Sequence, residues 1–468
     1  MTTCGRWLRA ICCLWIGATT ATAARATEAA AAREGRLVIV APRAWHSTLA
    51  EFVEFKRQFR EVALVDLEAT LAESAGVDDP EKIKRWLYKQ WQEAGLGYVL
   101  LVGDVDVLPV RYMALDRITP AAFDYSFYPC DLYYADLARG DGSFDDWNSA
   151  TDSFHARYFG EVRGEKNKDD PINYDQVDYR PEIAVGRWPV QTPDELSRLA
   201  SKSIAYETSV RNSSPDGPPR AVFVAVGGWV DSRPLMDRLA GRLEPHWKTE
   251  KQYYSNKLRP SDSTPTHESV RRVFNNGADL IIHAGHGQPD AWERCFSVAD
   301  LERLDNAERL PIVLSAGCST AYFAPLAPYG AYDDVDGRPH HGTDHGELFD
   351  APPPPPSPLQ KRVNPTGLGE QILKRNAHGA VAYIGCNTGS QPCGLSLVEG
   401  FVAALATDPT PHLGDCWAEA VRYYYVHERL AELKPEEGWY PPSIFFQAMK
   451  FMLFGDPSLP LPAGGKDI

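Results

Sequence analysis

The sequence lacks an excess of basic residues and, along most of its length, long apolar runs. It has 48 Lys and Arg residues against 63 Asp and Glu residues, a formal net charge of -15. Nucleic-acid partners require a basic surface, so we exclude a nucleic acid as the partner. A membrane-spanning helix needs about 20 consecutive apolar residues. We therefore expect a mature chain without a membrane span.

The N-terminus has the pattern of a targeting segment. Arg6 and Arg9 precede a short apolar stretch, Ala10 to Ala18, and Ala21-Thr22-Ala23 resembles a cleavage site for a secretory signal peptide. A short membrane anchor is the alternative, but the apolar stretch is well below spanning length. We predict a signal peptide over residues 1–25 and a secreted or periplasmic protein.

Cysteine is scarce once that segment is set aside. Six cysteines then remain, an even number that permits disulfides in an exported protein: Cys130, Cys295, Cys318, Cys386, Cys393 and Cys416. If one of the six is a free nucleophile, at least one other is also unpaired.

The rest of the chain reads as two α/β units. After a linker at 26–35, strand and helix patterns alternate through an N-terminal α/β subdomain at 36–211. A Ser/Pro/Gly cluster follows, and a second alternating unit occupies 220–463. A long insert at 329–362, with five consecutive prolines, interrupts this second unit. Such alternation predicts an α/β fold with a mostly parallel sheet flanked by helices.

Two apolar runs of the second unit end in small-residue turns that carry reactive side chains. DLIIHAGHG ends with His286 and Gly287, and LPIVLSAGC ends with Cys318. Parallel strands present such residues at the carboxyl edge of a sheet. Acyl transfer needs a thiolate, a proton donor for the leaving amine and backbone N–H groups around the oxyanion. We therefore assign Cys318 as nucleophile, His286 as general acid/base, and the Gly287 and Cys318 amides as oxyanion hole.

A metal site is the competing interpretation of the histidines. His283 lies three residues before His286, and residues three apart on a strand point to opposite faces, so we expect His283 to be packed rather than chelating. A better metal candidate is a polar cluster in the insert, for which a solvated loop is the alternative: His340, His341, Asp344 and His345. A metal-dependent hydrolase built on these histidines stays open as an alternative function.

An acidic loop in the first unit offers oxygen ligands for calcium. Ca²⁺ prefers many oxygen ligands, and exported proteins often order such loops with it. The spacing is not that of an EF-hand, and a solvated acidic loop is the alternative. The candidate ligands are Asp145, Asp146, Asn148, Asp152 and Glu161.

The two strand ends belong to a wider pattern. Together with YVLLVGDVDVLP, DLYYADL, PEIAVGRWPV, GAVAYIG and LFGDPSLPL, in this order, the sequence resembles the gingipain family of cysteine peptidases in the caspase-like clan. The resemblance implies a caspase-like catalytic subdomain, endopeptidase activity on proteins or peptides, and often bound calcium. It also implies that His286 and Cys318 form the dyad and that Trp292 lines the specificity pocket.

Several positions depart from the family pattern. Ala316-Gly317-Cys318 replaces the common Val-Ala-Cys, and Val226 stands where arginine-specific members have a glutamate beside the histidine. Either a backbone carbonyl orients His286 or activity is reduced, and an inactive binding or surface protein is therefore an alternative. The resemblance also places Asp237, with Asp231 nearby, at the base of the specificity pocket, where either carboxylate would select an Arg or Lys side chain of the substrate. An exposed acid at the start of a helix is the alternative for each. With that preference, Lys361-Arg362 in the insert would be a processing site.

Overall fold

The computed structural model describes most of the chain. The described residues are 35–116, 125–148, 158–159, 171–173, 175–212, 217–350, 352–360, 366–435 and 440–462. The predicted signal peptide, nearly all of the linker, the calcium candidates Asp152 and Glu161, and Lys361-Arg362 lie outside these residues.

Ten strands form one large sheet. They are β1 (Arg36–Ala41), β2 (Val62–Asp66), β3 (Leu96–Val102), β4 (Ala184–Trp188), β5 (Arg220–Ala225), β6 (Lys248–Tyr253), β7 (Leu280–Ala284), β8 (Ile312–Ser315), β9 (Ala382–Cys386) and β10 (Phe451–Phe454). Their order across the sheet is β2-β1-β3-β4-β10-β9-β8-β7-β5-β6. The first predicted unit contributes four of these strands and the second unit contributes six.

The sheet is parallel at every pairing except one. β9 and β10 are antiparallel, whereas β10 is parallel to β4. The strands on either side of this pairing therefore run in opposite directions. As a consequence, β7, β8 and β9 end at one edge of the sheet, and β3 and β4 end at the opposite edge. The predicted mostly parallel sheet is confirmed.

Helices cover both faces of the sheet. They are α1 (Ala50–Lys56), α2 (Leu67–Glu73), α3 (Asp79–Ala94), α4 (Leu132–Ala135), α5 (Pro193–Asn212), α6 (Arg233–Leu243), α7 (His267–Asn275), α8 (Leu368–Lys374), α9 (Leu395–Thr407), α10 (Leu413–His427) and α11 (Tyr440–Phe446). Among the described residues, no helix is both long and apolar enough to cross a membrane.

Each face of the sheet has its own apolar core. On β8, Leu314 packs into the core shared with α3, α6, α9 and α10, and Val313 packs into the core shared with α1, α5, α7 and α8. Because both faces are covered, a strand must be apolar at consecutive positions. This explains why β7 and β8 read as continuous apolar runs.

A buried ion cluster joins the first unit to the last strand. Lys56 of α1 lies 2.6 Å from Glu207 of α5 and 2.9 Å from Asp456, two residues after β10. All three side chains are fully buried. A buried charge is tolerated only when it is paired, so this cluster fixes the two helices against the end of β10.

The described part of the insert is ordered against the first unit. Its chain begins with a short antiparallel pair, Tyr332–Asp333 with Pro339–His340. The proline tract then runs back over the N-terminal half, where the Val110 amide donates to the carbonyl of Pro358 at 3.0 Å. The Gln360 amide donates in turn to the carbonyl of Val105 at 3.1 Å.

Candidate active site

The two strands that carry the predicted dyad are neighbours. β7 and β8 are parallel, with Ser315 paired to His283, and the amide of Ala316 donates to the carbonyl of His283 at 2.9 Å. His286 follows the end of β7 by two residues, and Cys318 follows the end of β8 by three. Both turns therefore project from the same edge of the sheet, as the sequence predicts.

The two turns touch through glycine. A Cβ on Gly287 would lie 2.5 Å from the carbonyl oxygen of Cys318 and 3.0 Å from its amide nitrogen. A Cβ on Gly317 would lie 3.2 Å from the Cα of Gly287. A side chain at Gly287 would force the two backbones apart. Glycine therefore allows the turn that carries His286 to contact the turn that carries Cys318.

His286 is oriented by a backbone carbonyl. Its Nε2 lies 2.8 Å from the carbonyl oxygen of Gly228, in the loop after β5. A carbonyl can only accept, so Nε2 carries a proton and Nδ1 is the nitrogen that can accept one. Gly228 has φ +107°, a conformation that favours glycine. This contact takes the role that Val226 cannot perform.

Cys318 contacts the loop that follows a third strand. Its Sγ lies 3.3 Å from the amide nitrogen of Ser390 and 3.6 Å from the carbonyl oxygen of the same residue. Ser390 belongs to the loop after β9, and the amide of Ser319 donates to the carbonyl of Thr388 in that loop at 2.7 Å. The sequence prediction missed this loop, although the GAVAYIG strand before it was recognised.

Cys318 differs from the other five cysteines in exposure. Cys318 is partly exposed, whereas the other five are buried, and all six are free thiols. Burial raises the pKa of the Cys130, Cys295 and Cys386 thiols to about 12, raises that of Cys393 to about 11, and raises the pKa of Cys416 well above its ordinary value. The five buried thiols therefore stay protonated and inert near neutral pH.

His283 is a packed strand residue, as predicted. Its side chain is fully buried, its ring stacks on Trp292 at 4.4 Å between ring centres, and its Nδ1 lies 2.9 Å from Oγ of Ser315. Burial lowers the pKa of His283 to about 3, so the ring is neutral. Ser315 Oγ also accepts from the amide of Gly317 at 3.2 Å. Through Ser315, His283 thus stabilises the turn that carries Cys318.

Trp292 lies in the core. Its side chain has no solvent exposure, it stacks on His283, and its Nε1 donates to the hydroxyl of Tyr383 at 3.0 Å. A pocket wall must face the substrate. Trp292 therefore does not line an open pocket. It is buried against His283 of β7 instead.

The two predicted selectivity carboxylates are already paired. Asp231 accepts from Arg233 at 2.8 and 2.9 Å, and the Arg233 hydrogen bonds lower the pKa of Asp231 to about 2. Asp237 pairs with Arg259 and lies 3.1 Å from Nζ of Lys251. Neither carboxylate is free, as placed, to receive a basic substrate side chain.

The calcium candidates make contacts within the protein. Asp145 is buried and lies 3.6 Å from Arg139, and Asp146 lies 3.3 Å from the same guanidinium and accepts from the Asn148 amide. In the described part of the chain, no group of three His, Cys, Asp or Glu side chains gathers to hold a metal. The described residues of this loop therefore do not fit a calcium site on their own.

The histidine cluster of the insert also fails to converge. His340 lies between two carboxylates, with Nδ1 2.7 Å from Glu347 and Nε2 3.2 Å from Asp334. His341, Asp344 and His345 are exposed. The insert cluster accordingly gives no support to a metal-dependent hydrolase.

Comparisons with known proteins find relatives of low sequence identity. Gingipain R2 of Porphyromonas gingivalis is 22% identical over 312 residues, 65% of this chain and 35% of the relative. Gingipain R1 of the same species is 21% identical over 297 residues, 62% of this chain and 24% of the relative. The chain thus spans about a third or less of the length of these relatives.

Solved structures match the fold over most of the chain. The crystal structure of the Arg specific cysteine proteinase gingipain R (RgpB) has a TM-score of 0.59 at 16% identity, covering 92% of this chain and 78% of that one. The complex of RgpB pro- and mature domains has a TM-score of 0.56 at 16% identity, covering 91% and 80%. The fold is therefore caspase-like. Since the family model for peptidase family C25 matches residues 30–462, the chain belongs to this family of gingipain-like cysteine peptidases.

Proposed function

We propose that the chain is an exported cysteine endopeptidase that cleaves peptide bonds with Cys318 and His286. One observation carries the proposal: adjacent parallel strands deliver the partly exposed thiol of Cys318 and a histidine oriented by a backbone carbonyl to the same edge of the sheet. Membership of the family supports protein or peptide substrates. The N-terminal sequence pattern supports export, and a structural calcium ion remains a prediction.

The geometry supports a two-step acyl transfer. Nδ1 of His286 takes the Cys318 thiol proton, and the thiolate attacks the carbonyl carbon of the scissile bond. The amides of Cys318 and Gly287, whose backbones are in contact, would donate to the oxyanion. The protonated imidazole then gives its proton to the leaving amine as the C–N bond breaks. Water activated by His286 hydrolyses the thioester and restores the thiol.

The weak or inactive alternative rests on Gly317 and on Val226, which cannot orient an imidazole. The hydrogen bond from His286 to the Gly228 carbonyl supplies that orientation without a carboxylate. Cleavage after basic residues has less support, because Asp231 and Asp237 both pair with cations of this chain. We therefore propose the endopeptidase activity without a preference for basic residues.

Peptide cleavage by variants tests the proposal. The purified mature protein, Cys318→Ala and the buried-cysteine control Cys416→Ala would be assayed on a denatured protein substrate, with and without EDTA. We expect Cys318→Ala to lose activity by at least about a thousandfold and Cys416→Ala to retain it. Cleavage that survives Cys318→Ala, or that EDTA abolishes and zinc restores, would overturn the proposal.

A further inference from the structure

An arginine lies beside the proposed catalytic histidine. Nη1 of Arg294 lies 4.0 Å from the position that a Cβ on Gly228 would take, and Cδ2 of His286 lies 3.5 Å from that same position. The guanidinium and the imidazole therefore flank one glycine, the residue whose carbonyl orients His286. The amide of Glu293 donates to the carbonyl of His286 at 3.0 Å, which fixes the arginine's segment to the histidine turn.

The backbone at Arg294 is held in an unusual conformation. Its φ is 68°, in the left-handed region that side chains other than glycine rarely adopt. Trp292, two residues before Arg294, and Cys295, directly after it, are fully buried. The amide of Cys295 donates to the carbonyl of Trp292 at 3.2 Å. Such a conformation persists only where surrounding packing enforces it. The core thus directs this side chain outward from a rigid turn.

The guanidinium is available to a ligand. Among the described residues its hydrogen-bond partner is the neighbouring Glu293, with Nε 3.1 Å from Oε1. The arginine side chain is 67% exposed and the glutamate 32%. An exposed ion pair of this kind contributes little to stability, so a substrate carboxylate can replace Glu293. The planar guanidinium binds carboxylates through two parallel hydrogen bonds.

Three acidic side chains in the segments that follow β5 and β7 are paired within the chain. Asp231 pairs with Arg233, and Asp237 pairs with Arg259 and Lys251. Glu293 faces Arg294 itself. Each of these three carboxylates therefore already has a cation of this chain as its partner. An acidic substrate side chain, in contrast, can bind the exposed guanidinium of Arg294.

We propose that Arg294 is a specificity-determining residue that binds an acidic side chain of the substrate beside the scissile bond. This assignment rests on the proposed function. The peptidase then prefers acidic peptides and cleaves poorly after arginine or lysine. This preference is opposite to the one that Asp231 and Asp237 suggest when considered by sequence alone.

Matched peptide sets test this assignment. Fluorogenic peptides identical except for Asp, Asn or Arg at the positions flanking the scissile bond would be cleaved by the wild type, Arg294→Gln and Arg294→Glu. Arg303→Gln, an exposed arginine later in the same segment, is the control. We expect the wild type to prefer Asp to Arg, and Arg294→Gln to lower kcat/KM for the Asp peptide by about tenfold, mainly through KM.

The remaining outcomes separate specificity from activity. We expect Arg294→Glu to favour the Arg peptide, and Arg303→Gln to behave as the wild type. A wild type that prefers the Arg peptide, or an Asp preference that Arg294→Gln leaves unchanged, would overturn the assignment while the peptidase activity stands. A wild type that cleaves none of the peptides and no denatured protein would overturn the proposed function and this assignment together.

Discussion

His283 and His286 are three residues apart, yet their side chains lie in different surroundings. His283 is on β7, where its ring is enclosed by Trp292 and Ser315. His286 has left the strand and is partly exposed, with one nitrogen on the Gly228 carbonyl. Desolvation keeps a buried imidazole neutral, whereas an exposed one can exchange protons with a substrate. Of these two histidines, His286 is therefore the one that suits the proposed role of acid and base.

Replacing His283 should change the pH dependence of stability. Its pKa in the folded chain, about 3, lies below the ordinary value of 6.5. Between these values the unfolded chain binds a proton that the folded chain does not, so the free energy of unfolding falls as the pH falls. Urea unfolding at pH 7 and pH 5 should show the wild type losing up to about 2 kcal/mol more than His283→Phe.

An exposed histidine provides the control for this measurement. His345→Asn should lose stability between the two pH values to the same extent as the wild type, because His345 is exposed. Equal losses in the wild type and in His283→Phe would show that His283 is not held neutral by burial.

At single residues, the sequence predicted the reactive side chains better than their partners. His286 and Cys318 follow recognisable strand patterns. The partner of His286 is a backbone carbonyl 58 positions away, which no side-chain pattern reveals. Asp231 was considered as an isolated acid, although Arg233, two residues later, neutralises it. The position of Trp292 depends on how the short antiparallel pair of Gly287–Gln288 with Ala291–Trp292 packs against His283 of β7, which sequence patterns do not specify.

Among the structural elements, the contact between two turns sets the geometry of the site. The turn after β7 and the turn after β8 approach each other at Gly287, within contact of the Cys318 backbone. The loop after β9 contributes the Ser390 amide to the sulfur. Three consecutive strand ends thus form the site, since parallel strands place their carboxyl ends together.

Adding one methyl group at Gly287 should disturb this geometry. The Cβ of Gly287→Ala would collide with the carbonyl of Cys318 and with Thr320, so the turns must separate. A displacement of about 1 Å at a catalytic group costs about a hundredfold in rate, so we expect a loss of that size in kcat/KM. Gly140→Ala, in the first unit and outside the site, is the matched control, because nothing lies within 4 Å of its added methyl group. Similar activities in the two variants would contradict the close contact of the turns.

Strand positions were predictable because apolar runs ending in glycine are distinct in the sequence. Their order was not, because pairing partners in a sheet are distant along the chain. β10, the last strand, inserts between β4 and β9 and runs antiparallel to β9. The short FMLF strand contains no local information about that partner.

Over the whole molecule, the two predicted units share one continuous sheet. β10 pairs with β9 on one side and β4 on the other. The buried cluster of Lys56, Glu207 and Asp456 holds the turn after β10 against α1 and α5. The first unit and β10 are therefore coupled through buried charges as well as through the sheet.

Removing one member of this cluster should destabilise the whole fold. Asp456→Asn leaves the buried ammonium of Lys56 with one carboxylate, and breaking a buried ion pair costs about 3 kcal/mol or more. Glu54→Gln removes an exposed partner of Arg57 and should cost less than about 1 kcal/mol. Urea unfolding monitored by tryptophan fluorescence measures both values. Equal effects would show that the cluster does not couple the two parts.

The most direct test of the proposed mechanism is the site of covalent labelling. The folded mature protein would be treated with a thiol-directed peptidyl ketone, and the adduct located by mass spectrometry of its peptides. We predict a single adduct on Cys318, slower labelling in His286→Ala, and no modification of the five buried thiols. An adduct on another cysteine, or no adduct on a protein that cleaves peptides, would contradict the assignment of Cys318 as the nucleophile.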